Sequence, residues 1–146
     1  MKKMIRARVI VALAFTAFLA ACQQPAMAPV FEQGWVRAMP PSANMTAAYG
    51  VLRNGTAAPL TFVSFSSPAF GDVSLHRTVQ VDGMTRMREV ESLTLQPGEQ
   101  AELQPGGLHL MLMMPAEPLR TGADVPLVMT AADGRSFRFD VPVEQR

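Results

Sequence analysis

"VSLHRTVQVDGMTRMREV", residues 73–90, holds two runs of alternating character around the dipeptide Asp82-Gly83. Asp-Gly between two such runs is a strong signal for a two-residue hairpin loop. Pairing outward from it sets Val81 opposite Met84, Gln80 opposite Thr85, Val79 opposite Arg86 and Thr78 opposite Met87. Side chains alternate faces along a strand, so His76 shares a face with Thr78 and lies diagonal to Met87. A three-residue loop would separate His76 from Met87 onto opposite faces, so the turn chemistry matters.

The same punctuation runs through the rest of the chain. Strands are expected at "WVRAM" from Trp35, "AAYGVLRN" from Ala47, "LTFVSF" from Leu60, "VSLHRTVQV" from Val73 and "TRMREV" from Thr85. They continue at "LTLQ" from Leu93, "QAELQ" from Gln100, "LHLMLMM" from Leu108, "VPLVMTA" from Val125 and "SFRFDVPV" from Ser136. Turn clusters such as "NGTAAP", "PGE", "PGG" and "ADG" separate them. Many short strands at close spacing, with no helix-length apolar period and no repeat, predict one all-β sandwich. The "NG" at Asn54 reads as a turn, and neither it nor the Asn44 sequon is expected to be glycosylated.

Residues 1–21 are expected to be a lipoprotein signal peptide. "MKKMIRAR" is basic, and the apolar "VIVALAFTAFLA" that follows is too short for a bilayer, which takes ~20 apolar residues. "LAAC" resembles a bacterial lipobox ending at Cys22, the only cysteine, which would be lipidated. Gln23 after it resembles a signal for sorting to the outer membrane. Residues 22–33 read as a tether and residues 34–146 as the domain. Without residues 1–21, which hold four of the 13 basic residues, nine Arg face 12 acids, a net charge of −3. Those arginines are scattered, which excludes a nucleic-acid binder. A lone cysteine allows no internal disulfide, so a core must hold the fold.

In "LHLMLMM", Leu108, Leu110 and Leu112 share one strand face, and His109, Met111 and Met113 share the other. One reading is a strand buried on both faces, with methionines filling gaps and His109 an interior residue. The other treats His76 and His109, the chain's two histidines, as partners of Met87 and Met111. Two imidazoles and two soft thioethers make a coherent Cu(I) shell, a poor zinc site, and no blue-copper site, since the thiolate is missing. The imidazoles bind only when neutral, so affinity should fade below about pH 6.5.

The spacing His76-x10-Met87-x21-His109-x-Met111 is similar to that of the periplasmic PCu(A)C copper chaperones. "WVRAMPPSANMTAAYGVLRN", "LQPGGLHLMLM" and "GADVPLVMTAADGRSFRFDVPV" resemble the same family, from about Trp35 to Val143. The resemblance implies a cupredoxin-like Greek-key β-sandwich that binds Cu(I) in the periplasm. Its implied recipient is the copper centre of cytochrome c oxidase subunit II, or a thiol-bearing copper assembly partner. The chain shows no His/Met-rich tail after "VPVEQR", so one site is expected. Lipidation at Cys22 departs from the commoner soluble form and would tether the protein to a membrane.

The expected mechanism is ligand exchange at Met87 or Met111, with His109 and Met111 the stiff pair and His76 and Met87 the mobile one. Met113 could be a stepping stone or a gap-filler, and Met27, Met39 and Met45 lie near the N-terminal segment. Trp35, Tyr49 and Phe70 read as core or site rim. Arg37, Arg77, Arg86 and Arg88 read as solvated. No enzyme is expected, because two histidines already claimed leave no catalytic triad. The rivals to a chaperone are a copper-buffering lipoprotein with the same site and a metal-free structural sandwich.

Overall fold

The computed structural model describes residues 28–146. The expected signal peptide, Cys22 and Met27 lie outside the described residues.

Ten strands form, one for each expected run: β1 (Val30–Arg37), β2 (Met45–Arg53), β3 (Leu60–Ser66), β4 (Phe70–Val81), β5 (Met84–Glu89), β6 (Leu93–Leu95), β7 (Gln100–Leu103), β8 (Leu108–Pro115), β9 (Asp124–Ala131) and β10 (Ser136–Glu144). The order across the sheet is β5-β4-β8-β7-β2-β1-β10-β9-β3-β6. Further pairings of β8 with β2 and of β4 with β3, at Phe65–Val73, bring the two ends round on themselves. The result is an all-β, barrel-like sandwich. β1 runs parallel to β10, with Val36 beside Val143.

Alternation decides what faces inward. Leu75 on β4, Leu110 and Leu112 on β8, Leu52 on β2 and Leu127 on β9 are at most 1% exposed and belong to one continuous core. Burying each such leucine contributes about 1.5–3 kcal/mol. The core therefore does the work that a disulfide framework does in many small domains.

The β4–β5 hairpin has the register expected from Asp82-Gly83, from Val81–Met84 through Thr78–Met87 to His76–Glu89. Asp82 and Gly83 both take positive φ, 53° and 75°, as a type I′ turn demands. At the β9–β10 turn, the Asp133 carboxylate accepts from the Arg135 backbone N–H and side chain. That guanidinium holds the Asp133 carboxyl below its usual range.

Two local expectations need correction. The domain begins at Val30, not Gly34, because Val30, Phe31 and Glu32 pair with Arg53, Leu52 and Val51 of β2. A bulge between Glu32 and Trp35, with Gln33 at φ 51°, breaks the alternation and disguises that strand as tether. "NG" is no hairpin turn either. Asn54 is fully buried, donates to the Ala58 and Leu95 carbonyls at 2.8 and 2.9 Å, and accepts from Thr56. The turn expected at "PGG" is present, Gly107 N–H donating to the Gln104 carbonyl at 3.0 Å, and it joins β7 to β8 as a jog between parallel segments, both lying along the one strand β2.

Candidate metal centre

The outward positions of β4 and β8 build the site. Val73 and Leu75 turn into the core, leaving Ser74, His76 and Thr78 on the other side of β4. Leu108, Leu110 and Leu112 do the same on β8, leaving His109, Met111 and Met113. The register then sets His76 opposite His109 and Ser74 opposite Met111. Across the hairpin, Thr78 faces Met87. Directly opposed residues share a face, so all four expected ligands project from one outer surface of β5, β4 and β8. The two imidazole rings stack with centroids 6.1 Å apart and planes 27° from parallel.

Hydrogen bonding leaves each ring one uncommitted nitrogen. His109 is 4% exposed, and its Nδ1 lies 3.1 Å from the Gly107 carbonyl. A carbonyl only accepts, so Nδ1 carries the proton and Nε2 keeps its lone pair. The same carbonyl accepts the Thr78 backbone N–H at 3.1 Å, tying the hairpin to the jog that orients His109. The His76 Nε2 pairs with Ser74 Oγ at 2.9 Å. Its Nδ1 is buried without a partner, a state that costs about 1–3 kcal/mol. An imidazole oriented by one nitrogen and free at the other is the usual arrangement of a metal-binding histidine.

Met87, His109 and Met111 line one open concavity of about 430 Å³. His76 does not line that concavity: it lines a second groove with Ser74, Glu89 and Met113, and its ring stacks on that of His109. Among the described residues, no three His, Cys, Asp or Glu side chains gather as a metal shell. Beside the two imidazoles, this face offers the thioether sulfurs of Met87 and Met111. Met111 and Met113 are half-buried and lie outside the core cluster. His109 is buried, but on the outer side of the sheet. The mobile pair is revised as well: His76 sits on an inner strand held on both sides, and only Met87, 57% exposed, lies on the edge strand β5.

Residues that the sequence left as core or rim extend the site sideways. Trp35, Tyr49, His109 and His76 form a row of rings across β1, β2, β8 and β4, with centroid separations of 4.8, 6.4 and 6.1 Å. The Arg37 guanidinium lies over Tyr49 at 5.1 Å, and that of Arg146 over Trp35 at 4.9 Å. Arg37 is exposed, in keeping with a solvated role, while its guanidinium also lies against these rings. The bulge in β1 aligns Trp35 with Tyr49, and alternation along β2 from Met45 through Ala47 to Tyr49 was the available signal. Phe70 belongs to the core. Arg77, Arg86 and Arg88 are exposed, in keeping with a solvated role.

The family model "Putative lipoprotein LpqE-like" matches residues 30–143. A "Putative lipoprotein" of Leifsonia xyli subsp. xyli is 32% identical over 114 residues, which is 77% of this chain and 68% of that protein. The solution structure of apo-DR1885 from Deinococcus radiodurans is similar at TM-score 0.64 and 31% identity, covering all of this chain and 97% of that one. Its Cu(I) form superposes at TM-score 0.63 and 32% identity, over 87% of this chain and 84% of that one. The copper-bound PCuAC domain from PmoF2 shares the fold at TM-score 0.65, with 19% identity over 81% of this chain and 93% of that one.

Proposed function

Because the chain belongs to the LpqE-like lipoprotein family, we propose that it is a periplasmic Cu(I) chaperone, binding one ion through His76, Met87, His109 and Met111. One observation carries this reading: the two histidines of the chain face each other on neighbouring strands, and each has a ring nitrogen left uncommitted. Two methionines that serve no core complete the donor set on the same surface. The solution structure of the Deinococcus radiodurans relative with Cu(I), about a third identical, supports the choice of metal.

The donor set fits soft monovalent copper. Thioethers are neutral and polarizable, and imidazole suits copper as well. His109 and Met111 sit two apart on a strand paired on both sides, so they form the rigid half. Met87 stands exposed on the edge strand, where an incoming thiolate or imidazole can displace it first. The concavity is far larger than an ion, which leaves room for the partner's ligand to approach. Exchange then proceeds one bond at a time, without loss of a charged anchor.

The recipient is the copper centre of cytochrome c oxidase subunit II or a thiol-bearing assembly partner. Cleavage after residue 21 and lipidation of Cys22 hold the protein at a membrane, the outer one by virtue of Gln23. A Cu(I) competition titration of the protein against His109→Ala tests the site. Tight binding that collapses in the variant is expected; micromolar or weaker binding, unchanged by the substitution, contradicts it. Mixing the Cu(I)-loaded protein with an apo oxidase copper domain tests delivery. Absence of transfer in either direction would assign the protein to copper buffering instead.

A further inference from the structure

Eight of the chain's 11 methionines lie among the described residues, and of these only Met129 belongs to the core. Four others, Met39, Met45, Met87 and Met111, line the same concavity as His109. Met87 and Met111 are accounted for by the proposed site. Met39 and Met45 are not. Met45 is 50% exposed, a long apolar side chain kept at a rim where it fills no gap.

The backbone holds these two residues in place. The loop between β1 and β2 is closed at its neck by Thr46 Oγ1 donating to the Arg37 carbonyl at 2.7 Å, and by Ala38 N–H donating to the Glu144 carbonyl at 2.8 Å. Ala43 N–H donates to the Pro40 carbonyl at 2.9 Å, folding the loop back, and Met114 N–H fixes the Asn44 carbonyl at 2.9 Å. Met39 and Met45 stand at the two ends of this pinned loop. In the β2–β8 register Met45 faces Met113 and Ala47 faces Met111, so Met45 is diagonal to Met111. Diagonal neighbours are ~7–8 Å apart at the backbone, within reach of long side chains. The small side chain of Ala47 leaves the space over Met111 open.

We propose that Met39, Met45 and Met111 form a second, thioether-only position for Cu(I), through which the ion enters and leaves the histidine pair. The proposal rests on the copper reading of the concavity and adds a route to it. Met111 belongs to both positions. It keeps its bond to the ion while Met39 and Met45 replace two of His76, His109 and Met87 and the third leaves unreplaced, which takes the ion from four donors to three. Every donor that leaves or arrives is neutral, so no proton or electron moves. Three sulfurs and no imidazole select a soft monovalent ion and hold it more weakly than the mixed set.

Silver titration of the protein, with isotope-labelled methionine methyl groups followed by NMR, tests this, Ag(I) serving as the redox-inert probe. The first equivalent is expected to shift the methyls of Met87 and Met111. The second is expected to shift those of Met39 and Met45 and to move Met111 again. The double variant Met39→Leu with Met45→Leu should weaken the second equivalent by at least about 10-fold, the scale on which metal sites respond to lost support, and leave the first unchanged. If Met39 and Met45 stay unmoved through two equivalents, or the double variant binds both as the wild type does, the second position is overturned. If Met39 and Met45 move while Met87 never does, the thioether position stands and the four-ligand site fails.

Discussion

His76 and His109 face each other directly across β4 and β8, their rings 6.1 Å apart and 27° from parallel. An ion held between them links two core strands, so its binding energy adds to folding stability. At a free-metal level of 1,000 times Kd, that linkage is worth about 4 kcal/mol. Cu(I) or Ag(I) should therefore raise the melting temperature of the wild type. His76→Ala is expected to lose that response and to bind more than about 100-fold more weakly, since even partners outside the ligand set cost about 10–100-fold. Thermal melts with and without metal, beside a competition titration, check both.

Among the described residues, the Ser74 hydroxyl is the one hydrogen-bond partner of the His76 ring, at 2.9 Å from Nε2. Ser74→Ala removes that brace and leaves the fold intact. Cu(I) affinity should fall by about 10-fold, with an unchanged circular dichroism spectrum. Affinity equal to wild type would mean that the ring is held by packing alone.

The two faces of β8 should separate stability from binding. Leu110 is 1% exposed in the core, so Leu110→Ala is expected to cost about 2–5 kcal/mol. Met111 lies on the outer face and outside the core cluster, so Met111→Leu should cost less than about 1.5 kcal/mol. The second variant, not the first, should bind Cu(I) poorly once folded. Denaturant unfolding and metal titration on the same pair of variants read both quantities.

Asn54 supplies the side-chain bond to the buried Leu95 carbonyl, at 2.9 Å, and also donates to Ala58 and accepts from Thr56. Asn54→Ala strands those groups. A loss of at least about 2 kcal/mol is expected from the denaturation midpoint, with the slope unchanged and Cu(I) affinity preserved.

Local chemistry made most of this fold legible. The alternation of apolar and polar residues marked all ten strands, and Asp82-Gly83 fixed a register that puts His76 and Met87 on one face. Leu108, Leu110 and Leu112 announced which side of β8 is core. The neighbourhood of β4 and β8 had no local signal, because His76 and His109 meet through non-local pairing that no turn dictates. The start of β1 was hidden by a bulge, which makes "FEQG" look like tether where it is strand. Asn54-Gly55 misled for the opposite reason. A dipeptide with strong turn chemistry was taken over by the need to satisfy a buried carbonyl on β6. The row from Trp35 to His76 depends on both the bulge and the long-range pairing, so it could not be read from spacing.

An X-ray absorption spectrum of the Cu(I)-loaded protein counts the ion's neighbours directly. Two sulfurs and two nitrogens around one copper are expected from Met87, Met111, His76 and His109. A shell of nitrogen and oxygen without sulfur would contradict the site outright.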